Sequence, residues 1–195
     1  MAERCEMRYE EIAAGAPADD RANRLTGADL PETGGVIGLD LDGVIVEERI
    51  VDPDLIRRYE EAAPLQKIFL HLMEIRLAWQ LSEFEPTPLM TFLIEHAARW
   101  RIVVVTARSP FLFLPTWLLL KRLRVPAAKL YLVGSREKKA DILLREQVDL
   151  FVDNEAANIE LAAAAGLRSR LYLSPRECLR KQNLAEQMTA NKKGV

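Results

Sequence analysis

The chain has 195 residues, of which 49% are hydrophobic and 29% charged, a balance that places it among globular proteins with one sizeable core. Twenty-seven Lys plus Arg against 29 Asp plus Glu leave a net charge of −2, which argues against a nucleic-acid polymer or an acidic membrane as partner. Nine glycines and ten prolines are too few for a fibrous or low-complexity chain.

Cys5 and Cys178 lie near opposite ends of the sequence and supply neither a metal-ligand pair nor a disulfide framework, so they read as free thiols of a reducing cytoplasm. Met1 to Glu11 mixes charged with apolar residues and has no signal-peptide core. The most apolar run, Phe111 to Leu120, is too short to cross a bilayer. A cytoplasmic protein without a membrane partner is expected.

In chain order, residues 1–33 read as a loosely packed N-terminal arm, broken by Gly15-Ala16-Pro17 and by Pro31 to Gly35, with a short helix around Tyr9 to Ala14. Val36 to Leu41 is a continuous apolar run ended by acids, the pattern of a strand buried on both faces. Residues 45–85 are too long for a simple crossover. They carry the apolar helical stretch Leu65 to Leu81 and predict a small helical cap inserted after the first strand. A core or dimer-interface helix is the equally weighted alternative to a cap for that stretch, and the two roles are compatible.

Helical windows follow at Thr87 to Trp100, Phe111 to Leu123, Ser135 to Glu146 and Glu155 to Ala165. Between them lie strands at Ile102 to Val105, Leu130 to Val133, Leu150 to Val152 and Arg170 to Leu173. Alternating strands and helices predict an α/β fold, a Rossmann-like parallel sheet flanked by helices. The core would comprise residues 34–44 and 86–175, with a C-terminal tail over 176–195.

In such sheets ligands bind outside the carboxyl ends of the strands. The first strand ends in Asp40-Leu41-Asp42-Gly43-Val44, where two carboxylates two residues apart point the same way and a glycine permits a sharp turn. A calcium loop needs glycine sixth and glutamate twelfth, so it does not fit. Gly34 to Gly38 lead into the strand and form no dinucleotide fingerprint. The second strand ends in Thr106-Ala107-Arg108, where a hydroxyl and the following amides suit a phosphoryl oxygen. The third is followed by Lys138-Lys139 and the fourth by Asp153-Asn154-Glu155.

Each feature has a mundane alternative. Asp153 could cap a helix, Thr106 could sit in a turn, and the lysines could be a solvated face. Arg108 and Arg136 read best as solvated loop arginines, His71 and His96 as structural, and Trp79, Trp100 and Trp117 as packing. The coincidence of acid, hydroxyl, base and acid over four consecutive strand ends favours a site.

These motifs resemble those of the haloacid dehalogenase-like superfamily of hydrolases. Asp40-Leu41-Asp42-Gly43-Val44, Thr106, Lys139 or its neighbour Lys138, and Asp153 match the four family motifs in order, over Val36 to Leu173. The short cap and Thr106-Ala107-Arg108 look most like the deoxyribonucleotidase-like branch. The resemblance implies a Mg2+-dependent phosphomonoester hydrolase acting on a small phosphorylated metabolite or nucleotide. Asp40 would be the nucleophile that forms an aspartyl-phosphate, and Asp42 the general acid and base. Thr106, Ala107 and Lys139 would bind the phosphate. Asp40, the main chain of Asp42, and Asp153 would hold magnesium. Family dehalogenases lack an acid at position 42 and transport ATPases carry threonine, so Asp42 favours phosphoester chemistry. Asn154 stands where many members have a second carboxylate. The alternative is therefore a noncatalytic phosphate- or nucleotide-binding or interaction module on the same fold.

Overall fold

The computed structural model describes residues 25–47 and 85–179. The expected helix at Tyr9 to Ala14, the apolar stretch Leu65 to Leu81, and Cys5, His71 and Trp79 lie outside the described residues, as does most of the C-terminal tail.

Five parallel strands form one sheet: β1 (Val36–Leu39), β2 (Arg101–Thr106), β3 (Ala127–Leu132), β4 (Leu150–Asp153) and β5 (Ser169–Leu171), in the order β3-β2-β1-β4-β5. Four helices accompany them: α1 (Pro88–Glu95), α2 (Phe113–Arg122), α3 (Lys139–Arg145) and α4 (Ala156–Ala164). The fold is α/β and Rossmann-like, and each predicted strand and helix within the described residues is present with shifted ends.

Burial on both faces explains the strand sequences. Ile102 and Val104 of β2 join one core cluster with Ile37, Leu39, Leu150 and Val152, whereas Val103 and Val105 join the opposite cluster with Leu143, Phe151 and Ile159. Period-two alternation thus feeds two cores from an all-apolar run. Helix α1 starts at Thr87, whose Oγ1 accepts from the Met90 amide and donates to the Val44 carbonyl, with Pro88 in the first turn.

Order of the strands locates the site. From β1 the chain runs outward through β2 and β3, then returns to the other side of β1 for β4 and β5. The switch point lies between β1 and β4, where a crevice opens at the carboxyl ends. Leu39 pairs with Val152, and the Asp40 amide donates to the Val152 carbonyl at 3.0 Å, so Asp40 and Asp153 emerge side by side.

Two expectations are corrected. Residues 25–33 pack on the core: Leu25 is buried and its amide donates to the Leu171 carbonyl, and Asp29 accepts from Arg170 Nε at 2.8 Å. That segment covers the outer edge of β5, which explains its order despite its broken apolar pattern. Trp117 is 42% exposed, together with Phe111, Phe113 and Leu114 on the same helical stretch, so it is not a core tryptophan. Trp100, in contrast, is buried and donates Nε1–H to the Pro31 carbonyl at 2.8 Å. His96 closes α1, stacks on Phe92 and places Nδ1 2.9 Å from the Phe92 carbonyl, a structural role. No helix among the described residues is long and apolar enough to cross a membrane.

Candidate active site

The position of Lys139 follows from a glycine in β1. A Cβ on Gly38 would lie 2.6 Å from Leu143 Cδ2, so only a bare Cα lets α3 settle on the strand. Lys139 is four residues before Leu143 on the same helical face and therefore reaches over the carboxyl end of β1. Its Nζ lies 2.8 Å from Asp40 Oδ1 and 2.8 Å from Asp153 Oδ2, and all three residues are buried. Lys138 is exposed and stands outside this contact, so Lys139 is the lysine at the rim.

Three segments far apart in sequence thus meet at the switch point. Asp153 is held from every side. Its Oδ1 accepts from the Glu155 amide at 2.9 Å and from Asn158 Nδ2 at 3.0 Å, and its Oδ2 accepts from Lys139 and from Asn158 Nδ2 at 3.0 Å. The amide contact resembles the helix-capping role considered for Asp153, but the buried lysine contact has nothing to do with capping. Asn158 Oδ1, in turn, is buried without a hydrogen-bond partner.

Asp40 differs. Among the described residues only its Oδ1 is engaged, and the side chain keeps 10% of its surface open to solvent. Burial pushes the Asp40 carboxyl up, Lys139 pulls it down, and the neighbouring Asp153 and Asp42 carboxylates push it up again, to about 7. For Lys139, burial favours the neutral amine, but Asp40 and Asp153 outweigh it and hold the ammonium above its ordinary value.

The Asp42 side chain has a different cation as its partner. It is gripped by Arg108, with Nε 2.9 Å from Oδ2 and Nη2 2.6 Å from Oδ1. Arg108 is therefore not the solvated loop arginine expected from the sequence; its side chain is 18% exposed. Thr106, at the end of β2, is buried and its Oγ1 accepts from the Arg108 amide at 3.3 Å, while Ala107 lies between them, partly buried. Arg136 pairs at the surface with Glu155 at 2.8 Å.

Sequence reasoning missed Gly38 as the seat of α3, Arg108 as the partner of Asp42, and Asn158 as the clamp on Asp153. No signal separates Lys139 from Lys138 in the sequence, because Ile142 and Leu143 place an apolar residue four positions after each. None existed for Arg108, because local pattern says nothing about the partner of a loop cation.

Among the described residues no group of three or more Asp, Glu, His or Cys side chains is placed to hold a metal ion by itself. The donor set nevertheless fits magnesium, which is held by one or two carboxylates and keeps several waters. Asp40 has an oxygen with no protein donor among the described residues, which leaves it open to a cation.

A scan against protein-family models and a search of curated proteins each return no match. Solved structures of similar fold include a HAD-superfamily hydrolase of subfamily IA from Geobacter sulfurreducens, at 14% identity over 73% of this chain and 91% of that one, with a TM-score of 0.48. Another is a HAD family enzyme from Bacteroides thetaiotaomicron in a magnesium complex, at 13% identity over 74% and 96%, TM-score 0.48. A third is a haloacid dehalogenase-like family hydrolase from Xanthomonas campestris, at 12% identity over 71% and 82%, TM-score 0.46. At such identities no residue role is carried over from them.

Proposed function

We propose that the chain is a magnesium-dependent phosphomonoester hydrolase of the haloacid dehalogenase-like superfamily, acting through an aspartyl-phosphate on a small phosphorylated metabolite or nucleotide. The reading is supported by one observation above all. Lys139 bonds Asp40 and Asp153 at 2.8 Å each while the second oxygen of Asp40 accepts no bond from described residues.

In this reading Asp40 Oδ2 attacks phosphorus and the bond to the leaving oxygen breaks. Asp42, two residues on, donates a proton to that oxygen and later takes one from the attacking water. Lys139, the Thr106 hydroxyl and the Ala107 amide offset charge on the phosphoryl oxygens. Magnesium would be held by Asp40, the Asp42 main-chain carbonyl and Asp153, and would neutralise phosphate charge as a Lewis acid. The expected setting is the cytoplasm, without a nucleic-acid polymer or membrane partner, and a homodimer is compatible with this reading.

A second reading, a noncatalytic phosphate-binding module, draws on Asp153. Its oxygens already accept four protein hydrogen bonds, and the adjacent residue is the neutral Asn154.

Release of inorganic phosphate from phenyl phosphate separates the two. The hydrolase reading expects turnover that needs magnesium, stops with a chelator and is absent in Asp40→Asn. Turnover surviving in Asp40→Asn would overturn it. Tight binding of inorganic phosphate without turnover would favour the module.

A further inference from the structure

Two cations stand at the rim and their surroundings differ. Lys139 is buried between two carboxylates, so its charge is matched within the protein. Arg108 lays its guanidinium fork on Asp42, in a pair that stays partly open to solvent, 18% exposed on one side and 40% on the other. The two parallel contacts at 2.9 and 2.6 Å are the geometry a guanidinium makes with any two-oxygen anion. Arg108 Nη1 also lies 3.5 Å from Oγ1 of the buried Thr116 on α2, which orients the fork.

Both oxygens of Asp42 are thereby engaged, and neither faces a leaving group while Arg108 holds them. Asp42 occupies the fork in the manner of an external oxyanion. The pair is only partly buried, so an anion arriving from solvent can reach the fork.

We infer that Arg108 determines specificity: its fork takes an oxyanion on the leaving-group half of the substrate in exchange for Asp42, so that substrates bearing one both bind better and free Asp42. This rests on the phosphomonoesterase reading and narrows its substrate class to phosphate monoesters whose leaving half carries a carboxylate or a second phosphate. The transferred phosphoryl group is the other oxyanion that could reach the fork. It is common to every ester, so it produces no preference among them.

The test compares phenyl phosphate with 3- and 4-carboxyphenyl phosphate, which add one carboxylate at two reaches. Binding is measured by calorimetry to the full chain carrying Asp40→Asn, so that no ester is consumed, with magnesium present. One carboxyphenyl ester is expected to bind about tenfold tighter than phenyl phosphate, the scale of a charge-assisted pair at a partly exposed site. Adding Arg108→Gln should bring that ratio to about one. Adding Asp42→Asn instead removes the internal competitor and should widen it, an arm that stands even if the arginine variant fails to fold. Equal binding of all three esters overturns the inference alone, as does a preference that survives Arg108→Gln in folded protein. Failure of inorganic phosphate and every ester to bind overturns the phosphomonoesterase reading and the inference with it.

Discussion

Asn154 lies directly against the bare Cα of Gly43: a Cβ there would fall 2.1 Å from Asn154 Nδ2 and 2.6 Å from its Cγ. Gly43 also has φ +81°, a conformation that costs any other residue energy. The turn that presents Asp42 is thus seated on the residue after Asp153. Gly43→Ala is expected to lower stability by about 2–3 kcal/mol, from strain plus displacement of Asn154. Urea unfolding checks it; a loss below 0.5 kcal/mol would mean the turn relaxes freely (about the noise of a surface substitution).

Lys139 compensates two buried carboxylates at once. Lys139→Met should therefore cost about 3–5 kcal/mol at neutral pH, because it leaves uncompensated buried charge. Asp153→Asn added to Lys139→Met should recover part of that loss. A double-mutant cycle in urea reads the coupling, and strict additivity would deny it.

Glu146 is a pH-sensitive support for the far side of the sheet. It accepts from Tyr131 at 2.5 Å and from Lys129 at 2.9 Å, and also pairs with Arg101 at 3.3 Å. The Tyr131 hydroxyl first, then Lys129 and Arg101, hold its carboxyl down from 4.5 to about 2. A depressed folded-state pKa gives stability that is present above about pH 4.5 and lost as pH falls toward 2. The melting temperature of the unmodified chain should exceed that of Glu146→Gln at neutral pH, and the gap should close across this window. A gap independent of pH would rule out the ionic contribution.

Magnesium should raise the melting temperature through its preference for the folded state. The rise should shrink and need more magnesium in Asp40→Asn, which keeps an oxygen ligand but loses its charge. Asn154→Asp, which adds a charge beside Asp153, should produce the same rise at lower magnesium concentration. Identical magnesium titrations of Asn154→Asp and the unmodified chain would show that position 154 takes no part in holding the ion.

The parallel sheet, the burial of β1 and β2 on both faces, and the strand-end positions of Asp40, Thr106 and Asp153 were all determined by the sequence itself. Hydrophobic period and chain-breaking residues act over a few neighbours, and these features depend on little else. The choice between Lys138 and Lys139 stayed open in the sequence, because an apolar residue follows each four positions on, and the packing of Leu143 on Gly38 settled which lysine reaches Asp40.

Only the tertiary structure decided that Arg108 holds Asp42, that Asn158 clamps Asp153, and that Leu25 to Asp29 seals the β5 edge. Each of these joins groups whose contact depends on how separate segments pack, and on which of several polar partners is near enough to replace water. Hydrogen bonds and ion pairs fade within a few ångströms, so their partners are set by three-dimensional closeness and leave no periodic trace in the chain.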